Sequence, residues 1–193
     1  MKSFRFRSTN YFLLPNMHDD SLLAFDAGWP CSLHDYARAL KPTGFRFANI
    51  TWAMVSHFHI DHAGLIRDFQ DAGITCFVFE NQFPAIEVME ELAARKYPHY
   101  RKMKKDKLIR MGTADSRSFF QGIGIQAEVL VTPGHSDDSV TLITDDGEAL
   151  IGDLPPLPQL MPDDLKSHRS YELIRSKGDR SMFPSHAEPF RLE

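Results

Sequence analysis

The sequence has no long apolar run: no stretch approaches the roughly 18 residues that a membrane span needs. Its first residues, MKSFRFRSTN, lack the apolar core of a secretory leader, so a cytoplasmic location is expected. Cysteine is scarce. Cys31 and Cys76 are the two present, without C-x-x-C spacing, which is too few for a disulfide framework. Two reduced thiols are expected instead. Basic charge is not in excess either. With 22 Lys and Arg against 26 Asp and Glu, the formal net charge is −4. A chain of that balance is not built as a whole to coat nucleic acid or an anionic membrane. Repeats, low-complexity tracts and linkers are also missing. The 193 residues are therefore expected to form one domain, 1–193, with 42% hydrophobic residues to fill its core.

What is present alternates between strand-like and helix-like segments. NYFLL and SLLAFDAG read as strands, and SLHDYARALKPTG as a helix closed by proline and glycine. NITWAMVS reads as a buried strand, HAGLIRDFQDAG as a short helix ending at Gly73, and ITCFVFE as a strand. FPAIEVMEELAARKY is the clearest helix, with Pro84 in its first turn. RSFFQGIGI holds a helical turn and AEVLVTPG a strand, and SVTLITDDGEALIGD reads as a hairpin turning at Asp146-Gly147. A helix around SYELIRSKG and a strand SMFPS complete an α/β pattern of layered sheets and helices.

The segment VSHFHIDHAG concentrates the chemistry. His57 and His59 stand two apart just past a buried strand, where an extended chain turns both imidazoles to one side. Asp61 and His62 open the following helix and can aim at a second point nearby. Imidazole nitrogen suits zinc, iron and other transition ions, and carboxylate adds a harder ligand. Complementary residues lie elsewhere, each past the end of a strand: His135 after AEVLVTPG, Asp153 after EALIG, and His186 after SMFPS. The hairpin makes one pairing firm. Its first arm leaves His135 and its second returns to Asp153, so antiparallel pairing brings both to the same end of the sheet. Alone, His135, His186 or Asp153 would read as a surface, core or turn residue. Core packing gives no reason to crowd imidazoles at 57 to 62.

Taken together, these residues resemble the metallo-β-lactamase superfamily. HFHIDH matches its H-x-H-x-D-H signature, and TPGHS (132–136) matches the segment of the third histidine. GD (152–153) matches the bridging aspartate, FPSHAEPF (183–190) the last histidine, and LLAFDAG (22–28) the early strand ending in a buried aspartate. The resemblance implies a four-layer αβ/βα sandwich with two metal ions at the sheet rims. His57, His59 and His135 would hold one ion; Asp61, His62 and His186 would hold the other; Asp153 would bridge them. Asp26 would orient a ligand histidine, its plainer role being a strand end. Two divalent ions are implied, zinc first, with manganese or iron as alternatives.

By the same resemblance the chain is a hydrolase that cleaves a small ester, thioester, lactone or phosphoester with a hydroxide shared by the two ions, and Asp61 is the catalytic candidate that orients it. The net positive charge of such a site favours an anionic substrate. Family patterns narrow the class. Antibiotic-hydrolysing members usually lack the bridging aspartate, so β-lactamase action is not expected. Lactonases of acyl-homoserine lactones carry a tyrosine soon after it, whereas GDLPPLPQL has none. Two alternatives stand: a mononuclear iron enzyme oxidising thiol persulfides, and an RNA-processing nuclease. The basic stretch 95 to 110 reads as a solvated surface or as a lid, with Tyr97, Tyr100, Lys104 and Lys105 as candidate substrate contacts. Neither a membrane nor a nucleic-acid partner is expected.

Overall fold

Tyr11 and Leu13 point to one side of their strand and Phe12 and Leu14 to the other, yet all are buried. Such a strand belongs to a sheet covered on both faces. The computed structural model, which describes residues 1–178 and 180–192, shows what covers it.

Six strands form the first sheet in the order β1-β2-β3-β4-β5-β6: Lys2–Phe6, Thr9–Pro15, Leu22–Phe25, Ile50–Met54, Thr75–Phe79 and Ile109–Met111. Five form the second, β11-β10-β9-β8-β7: Phe190–Leu192, Arg180–Pro184, Glu148–Gly152, Val140–Thr144 and Ala127–Val131. Between the sheets lie Phe12, Leu14, Phe25, Met54 and Phe77 against Val129, Val140, Leu142 and Leu150. Each fully buried side chain of this size contributes roughly 1.5–3 kcal/mol by leaving water. Tyr11, Leu13, Ala24, Ala53 and Val78 face the other way, onto helices α1 (Leu33–Leu40), α3 (Ile66–Asp71) and α4 (Phe83–Lys96). The second sheet turns Ile143, Ala149, Ile151 and Met182 outward onto Tyr171 and Ile174 of α6 (Leu165–Arg175). Helix α5 (Ser116–Gly122) adds Phe120 to the central layer. The order helix, sheet, sheet, helix is the expected αβ/βα sandwich.

The structure departs from the sequence reading in places. The helix expected over 62–73 is two: α2 (Ile60–Ala63) and α3. The amides of Gly64 and Leu65 donate to Gly28 and Ala27 (2.8 and 2.9 Å), so the chain after β3 takes the bonds that a continuous helix would have used. Helix α6 starts earlier than its apolar residues suggest, because Asp164 accepts from the Ser167 amide and caps it. Strands β1, β6 and β11 were not evident; β6 and β11 are three residues each, too short to show a period. The hairpin turns where expected, with Gly147 at φ 81°.

Topology places the site. The parallel pair β3 and β4 ends together, Phe25 opposite Met54, and the Asp26 amide donates to Met54 (2.9 Å). In the second sheet β9 and β10 end together, Gly152 opposite Pro184. Two backbone bonds join these rims, Val140 to Ser56 (2.8 Å) and Asn10 to Ser185 (2.7 Å), and Ser185 to Gly152 (2.8 Å) continues the pairing of β9 and β10. None of the described helices is long and apolar enough to cross a membrane.

Candidate metal centre

The first sheet delivers its ligands through a braced loop. Beyond β4, the carbonyls of Val55 and Ser56 accept from the buried Gln82 side chain (3.0 and 3.3 Å). The Phe58 amide, between His57 and His59, donates to the buried carboxylate of Asp138 (2.6 Å). Helix α2 then begins at Ile60, which puts Asp61 and His62 on its first turn. From the second sheet come His135 after β7, Asp153 after β9 and His186 after β10.

All seven candidate ligands converge. One donor atom each from His57, His59, His135 and Asp153 lies within 4.8 Å of the others, and the same holds for Asp61, His62 and His186. Asp153 stands between the two groups. Its Oδ2 lies 3.7 Å from His57 Nε2, 3.5 Å from His135 Nε2 and 3.3 Å from His186 Nε2, and its Oδ1 lies 3.4 Å from His62 Nε2. Asp61 Oδ2 lies 3.1 Å from His186 Nε2.

Neighbours fix which nitrogen faces inward. His186 Nδ1 donates to the Ser8 carbonyl (2.9 Å), and His62 Nδ1 to Asp26 (2.8 Å), which turns each Nε2 toward the cluster. Asp26 is fully buried and also accepts from the Ser56 amide (2.7 Å), the Ser56 hydroxyl (3.2 Å) and the Ser185 hydroxyl (3.4 Å). It does so at φ 74°, a left-handed conformation that costs about 1–3 kcal/mol. Gly152 holds a similar corner at φ 57°, where a Cβ would stand 2.6 Å from that of Ser56. The N-terminal strands add further struts: Thr9 donates to Asp61 Oδ2 (3.0 Å) and Tyr11 to the Asp61 carbonyl (2.9 Å).

Despite this bracing, His57 Nε2, His62 Nε2 and Asp153 Oδ1 are buried without any hydrogen-bond partner. Leaving such atoms unpaired costs roughly 1–3 kcal/mol each. Cations on the two sides of Asp153, one beside His57 and one beside His62, would satisfy all three, so the residues fit a metal centre. The local electrostatics agree. Burial, and then the neighbouring His62, pushes the His57 imidazole down and keeps its lone pair free. Burial alone would raise Asp61 and Asp153, but contacts from His186 and His62 hold both well below the usual carboxylate range. His186, beside Asp153 and Asp61, is pushed up to about 10. The cluster thus keeps its carboxylates ionised and gathers positive charge around them.

Residues 4–154 match the family model of the metallo-β-lactamase superfamily, well over half of the chain. The chain belongs to that superfamily. Among curated protein sequences none matches it. Solved structures of similar fold include a metallo-β-lactamase family protein of Thermus thermophilus, 20% identical, with a TM-score of 0.68 over 94% of this chain and 69% of that one. An archaeal superfamily protein of Sulfolobus tokodaii is 17% identical, with a TM-score of 0.68 over 98% and 80%. TTHA1623, crystallised in a di-iron-bound form, is 19% identical, with a TM-score of 0.68 over 97% and 92%. At these identities the likeness is one of fold.

Around this metallo-β-lactamase-type centre lie two hollows. One, of about 300 Å³, opens beside His135, Asp153 and His186 and is walled by Pro155, Pro156 and Pro184. The other, of about 260 Å³, opens beside His59 and Asp61 under α4. Tyr97, Tyr100, Lys104 and Lys105 line neither. Lys104 pairs with Asp71 (2.6 Å) and Lys105 with Glu90 (3.4 Å), while Tyr100 packs against the core under α4 and Tyr97 faces Lys96. The structure brings the metal candidates together and leaves these four apart from them. The sequence reading overlooked the supports. Gln82 and Thr9 carry no sequence signal, and the one signal for Asp138 is that its acidic doublet directly follows His135-Ser136.

Proposed function

We propose that the chain acts as a single-domain dinuclear metallohydrolase on a small ester, thioester, lactone or phosphoester. His57, His59 and His135 would hold one divalent ion, Asp61, His62 and His186 the other, with Asp153 shared. The observation that carries this reading is the set of unpartnered buried atoms, His57 Nε2, His62 Nε2 and Asp153 Oδ1, on both sides of one carboxylate. Bound ions of this kind supply Lewis acidity and a water of lowered pKa.

The chain's own residues do the rest. Asp153 spaces the two imidazole groups and balances their charge. Asp26, through His62 and Ser56, fixes ring orientation and strengthens the donor nitrogen. Asp61, steadied by Thr9 and Tyr11, keeps an ionised carboxylate at the mouth of the site, where it can order a water or take its proton. The proline-walled hollow would give the leaving group a stiff surface. Zinc suits the imidazole-rich donor set, and iron suits it as well.

The test is a screen of ester, thioester, lactone and phosphodiester substrates with zinc-, manganese- and iron-loaded protein. Hydrolysis that vanishes in Asp153→Ala while the variant stays folded is the expected result. Full activity in that variant would refute the shared role. Oxygen consumption with persulfides by the iron form, without hydrolysis, would transfer the site to the oxidative alternative.

A further inference from the structure

The hollow under α4 changes character along its length. At the inner end are His59 and Asp61, both members of the metal cluster. Away from them the wall is apolar throughout: Phe58 and Ile60, which alternate with the ligands, then Val88, Met89 and Leu92 of α4. No lysine, arginine or glutamate lines it.

The helix supplies the second observation. Val88 and Leu92 stand one turn apart and are 71% and 52% exposed, while the other exposed residues of α4 are Pro84, Glu87, Glu91, Ala94, Arg95 and Lys96. The large apolar side chains that α4 exposes, Val88 and Leu92, are thus both at the hollow. Large apolar side chains kept bare at such a place mark a surface that is covered in use. A polar end at the ligands and an apolar run leading away describe a molecule with a reactive head and a hydrocarbon tail.

We infer that this hollow is the acyl subsite, and that the substrate is an ester or thioester whose scissile carbonyl carries an unbranched aliphatic chain of medium length. The inference rests on the hydrolase reading for its reaction but not for its binding geometry. With the carbonyl at the cluster, the chain lies along Phe58 and Ile60 and is roofed by Val88 and Leu92. Each methylene that enters an apolar hollow gains roughly two- to fourfold in affinity.

Two measurements on zinc-loaded protein test this. The first is calorimetric binding of acetate, butanoate, hexanoate and octanoate, which share a metal-seeking carboxylate and differ in tail. The second is hydrolysis of the matching thioesters. Affinity is expected to rise by a factor of roughly two to four per methylene and then level off as the hollow fills. In Leu92→Asp and Val88→Asp, whose side chains are largely in water already, that rise is expected to flatten. A flat series in the unaltered protein overturns the subsite, as does an unchanged slope in both variants. If Leu92→Asp changes the oligomeric state and leaves the slope alone, the face is an interface between copies and the proposal falls. Tail-dependent binding with no hydrolysis of any thioester would keep the subsite and remove the hydrolase reading instead.

Discussion

Two stretches of this chain are dense in ionisable groups, and they resolve in opposite ways. Across residues 57–62 the side chains crowd together, and buried nitrogens of His57 and His62 have no partner. Across 95–110 four of the eight basic side chains are met by carboxylates. Arg101 bonds Asp68 (2.7 Å) and Asp71 (2.6 Å), Lys104 bonds Asp71 (2.6 Å), Lys105 reaches Glu90 (3.4 Å) and Arg95 reaches Glu91 (3.5 Å). The carboxylates come from α3 and α4, so the basic segment ties two helices together. Density of charge is therefore a poor guide to function. Buried polar atoms left unpaired are a better one where several converge, as His57 Nε2, His62 Nε2 and Asp153 Oδ1 do; single ones such as Glu90 Oε2 and Trp29 Nε1 also lie away from the cluster.

That contrast can be broken most decisively at Asp153. Asp153→Ala is expected to abolish detectable hydrolysis and reduce bound metal, as read by elemental mass spectrometry on folded protein. Unaltered metal content would place the unpartnered atoms outside any metal site. Asp26→Asn comes next. It keeps one acceptor oxygen and removes the charge behind His62, and is expected to weaken metal binding about 10- to 100-fold, measured by chelator competition.

Asp138 sharpens the comparison from the structural side. Asp138→Ala strands the buried Phe58 amide and is expected to cost about 1–3 kcal/mol in denaturant unfolding, while Asp138→Asn recovers most of the loss. Equal losses in both variants would show that charge, and not the accepted bond, is what matters there.

The smallest effects are expected in the basic segment. Charge reversal of Lys104 and Lys105 should leave metal content and the KM for an anionic ester unchanged; a raised KM would restore the segment to the site as a lid. Lys104, ahead of Arg67 and Arg101, holds the Asp71 carboxyl below its ordinary value. Its contribution to stability is thus present above about pH 3.9 and fades as the pH falls below that. Because Asp71 is exposed, the acid-unfolding midpoint of Lys104→Ala should move only slightly.

The sequence showed the ligands clearly because each follows a strand, and strand ends on a shared rim converge. The hairpin from His135 to Asp153 made one such convergence readable from turn chemistry alone. Other features depended on contacts made across long separations. Asp138 reaches Phe58 over eighty positions, and Thr9 reaches Asp61 over fifty-two. No local pattern announces such bonds. The break between α2 and α3 had the same origin, since carbonyls from residues 27 and 28 claim the amides of Leu65 and Gly64. The exposure of Val88 and Leu92 lay inside the helix expected over FPAIEVMEELAARKY, where no local pattern marks it.

Metal stoichiometry tests the central claim most directly. Protein purified without chelators or added metal, and a sample reconstituted with zinc, should be weighed for bound ions by elemental mass spectrometry. The account predicts about two divalent ions per chain, falling to about one in His186→Ala, as a shared two-ion site requires. Protein that arrives empty and takes up no ion on reconstitution would contradict it.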